Sequence, residues 1–175
     1  MRRMLATLVF LIVASSAPSL WAQDFRSIGL GIGYVKPSNV DGTIWFTANA
    51  HFKLAEKTVL EPELGYWKKS MSFPPVLDIS ISDFNLGANV LYRPPSHNSS
   101  VRFSVGGGLG IHFLSGQAGV LGFSGSDSAT KLGVHLLAGA TFGRSAGLRY
   151  FANARYDIVS DFNQFKIYGG VRFKL

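Results

Sequence analysis

The feature that most constrains this sequence is an alternation of apolar residues with small or polar residues at a period of two. In TIWFTANAHFKL, residues 43–54, the even positions from Ile44 to Leu54 are all apolar, whereas the odd positions include threonine, asparagine, histidine and lysine. This period is typical of β-strands that have one face in an apolar environment. Eight stretches carry it, and we predict a strand in each: 25–36, 43–54, 58–68, 84–93, 101–113, 131–142, 148–158 and 165–175.

The lengths of the strands and of their connections indicate a barrel that crosses a membrane. Each strand has about the 9–11 residues that a tilted strand needs to span a bilayer. Short connections alternate with longer ones, of which 69–83 and 114–130 are the longest. Bacterial outer-membrane barrels have short turns on the periplasmic side and longer loops outside. Pro62 is the one misfit, and because proline cannot donate to the ladder we expect a bulge there.

Glycine and tyrosine positions indicate which face of the barrel is the outer one. The non-apolar face is rich in glycine, and the interior of eight strands has room only for side chains, so these glycines fit the inside. Tyrosines at the two ends of the apolar face fit an aromatic girdle at each membrane interface: Tyr34, Tyr66 and Tyr156 at the loop end, Tyr92 and Tyr150 at the turn end. We therefore predict an all-β fold, an eight-stranded antiparallel up-and-down transmembrane β-barrel.

The first 22 residues have the features of a cleaved signal peptide. Arg2 and Arg3 precede the apolar run LATLVFLIVA, and small residues lead to Ala22. We expect 23–175 to form one outer-membrane β-barrel domain. The 175-residue chain has 17 Lys+Arg against 10 Asp+Glu, but these basic residues are scattered along an exported chain, so we expect no nucleic-acid partner. The chain has no cysteine, which excludes disulfides and thiol chemistry.

A glycine-rich stretch, RFSVGGGLGIHF at 102–113, raises the question of a phosphate-binding loop. Such a loop needs a glycine turn followed by the N-terminus of a helix. Here the alternation continues to Phe113 and no helical pattern follows, so we interpret the stretch as a membrane strand. No nucleophile and base are spaced as a catalytic pair, and no serine or histidine lies on the lipid-facing side of a strand. We predict no catalytic residue and no enzyme activity.

With its export signal, its glycine-lined first strand SIGLGIGY, its last segment FKIYGGVRFKL and its unequal loops, the chain resembles the small outer-membrane barrels of the OmpA/OmpX type, the outer membrane protein beta-barrel domain group. The resemblance covers essentially the whole mature chain. It implies a place in the cell outer membrane of a Gram-negative-type envelope. It also implies contact with outer-membrane lipid and lipopolysaccharide, and with the assembly machinery during insertion. A lipid A-modifying enzyme is a further alternative within such barrels.

Charged residues on the inward face are predicted to form a network across the lumen, because buried charges must be paired. Its members are Lys53, Glu61, Glu63, Arg102, Arg149, Arg155 and Arg172, and we expect the two glutamates to bridge Lys53, Arg102 or Arg172. The main reading is a structural plug; the alternative is a narrow porin-like channel with a basic, anion-preferring lumen. Histidines at 51, 112 and 135 face inward, and Asp157 or Glu63 could complete a metal site only if the register allowed it, so we predict no metal and no cofactor.

The two long loops carry the functional prediction, which is a non-enzymatic structural or surface-interaction role. In 69–83, Leu77, Ile79 and Ile81 alternate with polar residues, which predicts strand pairing above the membrane and an edge to which a partner strand can add. The candidate partner residues are Phe73, Leu77, Ile79 and Ile81. We expect loop 114–130 to be mobile and to fold over the mouth. The protein is expected to be a monomer with an extracellular partner.

Overall fold

The computed structural model describes residues 25–73, 77–95, 100–120, 123–143 and 147–174. They form eight strands: β1 (Phe25–Pro37), β2 (Thr43–Ala55), β3 (Thr58–Phe73), β4 (Leu77–Tyr92), β5 (Val101–Val120), β6 (Phe123–Phe142), β7 (Leu148–Val159) and β8 (Gln164–Lys174). Each strand pairs antiparallel with the next, and β8 pairs with β1 to close the ring. The predicted all-β, eight-stranded up-and-down barrel is confirmed. The predicted signal peptide, residues 1–22, lies outside the described residues.

The barrel places apolar side chains outside and polar side chains inside. Leu109 and Leu132 are 68% and 76% exposed on the outer surface. Inside, His112, Asp157 and Lys166 have no exposed surface at all. This arrangement inverts that of a soluble barrel, and it is stable only where lipid covers the outer face. No helix of the described residues is both long and apolar enough for a membrane span.

The two ends of the barrel differ. At one end, which we call the turn end, the connections 56–57, 93–100 and 143–147 join neighbouring strands, and β1 begins and β8 ends there. At the other, which we call the hairpin end, β3–β4 and β5–β6 extend well past their neighbours. Short turns face the periplasm in barrels of this kind, so the hairpin end faces outward.

The strand pairing predicted above the membrane in 69–83 is confirmed, whereas the loop predicted at 114–130 is wrong. Residues 69–83 and 114–130 are mostly strand, because β3 pairs with β4 up to Phe73 and Leu77, and β5 pairs with β6 up to Val120 and Phe123. Residues 114–120 and 123–130 therefore pair with one another instead of forming a mobile loop that folds over the mouth. Their small polar residues continue the backbone ladder without an apolar alternation to reveal it, and no proline interrupts them.

The bulge predicted at Pro62 is also wrong. The β2–β3 register is the same before and after it, at Asn49–Glu63 and Phe52–Leu60, and Pro62 pairs regularly with Ala88 of β4. The β2–β3 ladder instead lacks two successive pairs beside the proline. Because proline has no backbone N–H to donate, β2 and β3 lose pairing beside Pro62, but no extra residue is inserted as it would be in a bulge. The register shift between β2 and β3 lies nearer the turn end, between Lys53 and Ala55.

Inward glycines make room for side chains that cross the lumen. A Cβ at Gly87 would lie 2.8 Å from Cε1 of His135, and a Cβ at Gly110 would overlap the same ring. His135 reaches the centre of the barrel because two neighbouring strands present no side chain to it. Gly106 and Gly108 of β5 are crowded differently, because a Cβ there would overlap backbone atoms of the neighbouring strand β4.

Replacing Gly110 by valine is expected to lower the free energy of unfolding by about 1–3 kcal/mol, because the new side chain displaces His135 in a packed interior. Gly116 provides a matched control on the same strand and face, since a Cβ there meets nothing within 4 Å. Urea unfolding of the two refolded variants in phospholipid vesicles measures the difference. Equal stability of Gly110→Val and Gly116→Val would contradict the packing argument.

Candidate functional site

A buried network of charged side chains fills the middle of the barrel. The guanidinium of Arg155, on β7, donates to the carboxylates of both Glu63 and Asp157. Lys166 Nζ lies 2.6 Å from Asp157, and the Tyr168 hydroxyl donates to Glu63 at 3.0 Å. Each carboxylate here has a cation and a further donor, which offsets the cost of burying its charge.

Towards the hairpin end the network continues through two histidines. His112 Nδ1 donates to Asp83 at 2.8 Å, and Gln164 Nε2 donates to the same carboxylate at 2.7 Å. Gln164 in turn accepts from Trp67 Nε1 at 3.2 Å, and the Nε2 atoms of His112 and His135 are 3.4 Å apart. Strands β3 to β8 thus meet through side chains at this level, which closes the lumen.

Towards the turn end a second cluster is centred on Glu61. His51 Nε2 lies 2.6 Å from its carboxylate, and Arg172 Nη2 donates to it at 3.1 Å and to Asn49 at 2.9 Å. The Nδ1 atom of His51 accepts from Arg93 Nη2 at 2.6 Å. This cluster forms the floor of an opening at the turn end.

The structure divides the predicted lumen residues into two groups. Glu61, Glu63, Arg155 and Arg172 lie in the buried network, and of the three expected cations Arg172 is the one that bridges a glutamate. The expectation for Lys53 and Arg102 is wrong: both are exposed at the turn-end opening, and Arg149 lies beside them. The strands' stagger sets which inward residues share a level, and alternation alone does not give that stagger.

Sequence reasoning missed two network members at the hairpin end. Asp83 was assigned to a loop and Gln164 to a turn, yet both are fully buried. Asp83 is in phase with the inward residues Asn85 and Asn89, so extending the alternation of β4 by one step would have found it. Gln164 lies one step before the first predicted residue of β8, in phase with Lys166.

Of the two acids that the sequence offered as a third metal ligand, the register brings Asp157 beside the two inner histidines. Ligand atoms of His112, His135 and Asp157 lie within 4.8 Å of one another. Arg155, however, donates to His135 Nε2 at 3.0 Å and also to Asp157. A guanidinium thus supplies the positive charge in this cluster, and ligand atoms of His135 and Asp157 serve as its acceptors.

At the hairpin end, four strands continue beyond the barrel as one sheet. We call this the protruding sheet: residues 68–73 of β3, 77–82 of β4, 115–120 of β5 and 123–128 of β6, which pair with one another in that order. Six residues of strand correspond to about 20 Å. A groove of about 600 Å³ lies on it, lined by residues that include Met71, Ile79 and Gln117.

The predicted partner residues have different surroundings in this sheet. Ile79 lines the groove, whereas Ile81 packs on the buried cluster of Val35, Trp45, Trp67, Phe151 and Tyr168. Ile81 is therefore part of the seal on the barrel interior. The backbones of Phe73 and Leu77 pair at the end of the β3–β4 hairpin, and their side chains lie outside the described set.

The two edges of the protruding sheet are unequal. Pairing between β6 and β7 begins at Gly133, so residues 123–132 of β6 have no neighbour on that side among the described residues. Residues 125–130 of this edge, GSDSAT, are all exposed and contain no lysine or proline. The β3 edge instead carries Lys68 and Lys69, of the type that usually protects a strand edge.

All five predicted girdle tyrosines lie on the outer surface. Three of them lie near the hairpin end: Tyr34, Tyr66 and Tyr156. The other two lie near the turn end: Tyr92 and Tyr150. Each side chain is between 41% and 58% exposed. Their two levels match the two interfaces of a lipid bilayer.

An apolar belt between two tyrosine levels, around a filled polar lumen, defines a small outer-membrane barrel. The family model of the outer membrane protein beta-barrel domain matches residues 5–174. The chain therefore belongs to this family, and its place is the outer membrane. No curated protein matches the sequence.

Solved structures agree on the fold. Ail, the attachment invasion locus protein of Yersinia pestis, is 18% identical with a TM-score of 0.63, over 87% of this chain and 97% of Ail. Neisserial surface protein A is 16% identical with a TM-score of 0.63, over 86% and 97% of the two chains. A major outer membrane protein of Thermus thermophilus is 12% identical with a TM-score of 0.62, over 86% and 99%.

Replacing Arg155 by methionine is expected to cost about 3–5 kcal/mol of unfolding free energy, because Glu63 then remains buried without its cation. The double variant Arg155→Met/Glu63→Gln removes both charges and should recover at least half of that loss. Lys53→Met, at an exposed position, serves as control and should change stability little. Urea unfolding in vesicles measures all three, and a double variant no more stable than Arg155→Met would refute the pairing.

The filled lumen predicts that the refolded chain does not conduct ions. Trp45, Trp67 and Tyr168 lie across the interior with at most 2% exposure, and the charge network lies next to them. Planar-bilayer recordings should show no steady current steps, with heat-dependent gel mobility as the check that the barrel is folded. Steady anion-selective steps would instead support the narrow-channel alternative.

Proposed function

We propose that this protein is a non-enzymatic surface-interaction protein that captures an extended segment of an extracellular partner along the β6 edge of the protruding sheet. The observation that carries the proposal is the open edge at residues 123–132, in which lysine occurs only at the base, at Lys131. Its backbone donors and acceptors on that side face no neighbouring strand among the described residues. An added strand would satisfy them by main-chain hydrogen bonds.

The composition of the edge supports this assignment. Sheet edges are usually protected by lysine, proline or a bulge, and residues 125–130 have neither lysine nor proline while their pairing to β5 is regular. The small side chains of Ser126, Ser128 and Ala129 leave the backbone accessible. At the base of the edge, Lys131 Nζ donates to the carbonyl of Ser160 at 2.7 Å, which fastens β6 to the rim.

The relatives give limited support in the same direction. Ail is named as an attachment protein, and one of its structures is a complex with the heparin analogue sucrose octasulfate. Contacts of this chain with lipopolysaccharide and with the assembly machinery remain predictions. So does the monomeric state, because an open strand edge also fits the edge of a second copy.

Lysines introduced on the β6 edge should abolish adhesion. In Ser126→Lys/Ser128→Lys, two charges oppose strand addition, and we expect at least a fivefold loss in the binding of expressing bacteria to cultured epithelial cells. Ser70→Lys/Ser72→Lys adds the same charge to the opposite edge and should leave binding unchanged. Loss in the second variant alone would place the partner on β3, and no change in either would exclude strand addition.

A further inference from the structure

The turn end of the barrel opens into a basic cavity. It has a volume of about 710 Å³, and its floor includes His51 and Arg172. Eight of the described residues that line it are arginine or lysine, among them Arg93, Arg102 and Arg149, whereas Glu56 is the one acid. We call this cavity the basic vestibule. It faces the periplasm, at the opposite end from the protruding sheet.

Two arginines of the vestibule, Arg102 and Arg149, are not neutralised as the cations of the buried network are. Among the described residues, no carboxylate lies within salt-bridge distance of Arg102 or Arg149. The buried Nε atoms of Arg149 and Arg172 have no hydrogen-bond partner there either. Arginines that line a shared cavity without a carboxylate partner favour an anion there, because the anion supplies the charge-assisted acceptors that the protein does not.

The field at the floor of the vestibule is positive. Arg93 lies just beyond the end of β4, where burial, followed by the positive charge of Arg172, lowers the pKa of its guanidinium to about 10. Arg102 and Arg149 act on it in the same direction, while Glu61 opposes them. Arg93 remains charged at neutral pH, so like charges are held together at this end of the barrel.

We propose that the basic vestibule binds a multivalent phosphate anion from the periplasmic side. Arginine forks bind phosphate oxygens in pairs, and several arginines converge on this one cavity. Its volume is within the range of small-molecule sites, about 300–1,000 Å³. The phosphate belongs either to a free polyphosphate or to the headgroup of an anionic lipid in the inner leaflet, whose interface lies at the level of Tyr92 and Tyr150.

Calorimetric titration of inorganic tripolyphosphate into the refolded chain in zwitterionic micelles tests the site. We expect one-to-one binding that weakens at least tenfold in the double variant Arg102→Gln/Arg149→Gln, whose two arginines have no carboxylate within salt-bridge distance among the described residues. Lys68→Gln/Lys69→Gln removes the same charge from the hairpin end and should bind like the unchanged chain. Heat-dependent gel mobility verifies that each variant is folded.

Native mass spectrometry with phosphatidylglycerol and phosphatidylcholine distinguishes the two sources of phosphate. Retention of phosphatidylglycerol that is lost in Arg102→Gln/Arg149→Gln, with no tripolyphosphate binding, assigns the site to a lipid headgroup. Tripolyphosphate binding without selective lipid retention assigns it to a free anion. The proposal is overturned if neither phosphate binds, or if the arginine variant and the lysine control bind equally.

Discussion

Closing eight strands into a ring leaves an interior that side chains alone can fill, and every polar group placed there must find its partner inside the ring. The remaining features follow from this constraint. Gly87 and Gly110 have no side chain, and the ring of His135 occupies the space that a side chain would need there. Arg155 reaches two carboxylates because one guanidinium offers several donors in a fixed plane. The outer face is then free to be uniformly apolar, as lipid requires.

Charge compensation changes along the axis of the barrel. In the middle and towards the outside, Asp83, Glu63 and Asp157 all have donors within hydrogen-bonding distance. Towards the periplasm Glu61 is the last acid of the buried network, and the cations beyond it line an open cavity in which Glu56 is the one acid. The two ends therefore present different chemistry: an open strand edge outside and arginines without a carboxylate partner on the periplasmic side.

Strands could be predicted from the sequence where their side chains alternate between apolar and polar, and could not be predicted where this alternation is absent. Apolar alternation located all eight strands and assigned their faces, because lipid imposes a period of two on every residue it touches. It did not reveal residues 114–130, since above the membrane small polar residues pair without any apolar signal. Contacts across the lumen, such as Arg172 with Glu61, depend on the stagger of strands far apart in sequence. Asp83 was missed because the predicted strand began at Phe84, whereas β4 begins at Leu77.

The continuity of β5 and β6 from the periplasmic end to the tip of the protruding sheet has a mechanical consequence. Each has 20 residues and pairs with its neighbour throughout. An outward force on the β5–β6 hairpin would load in shear the hydrogen bonds that join β5 to β4 and β6 to β7, so that many bonds bear the force together. Peeling the hairpin from one end would break them one at a time under a much smaller force. Because the strands leave the membrane along the barrel axis, an outward force acts on the sheet in its stronger direction.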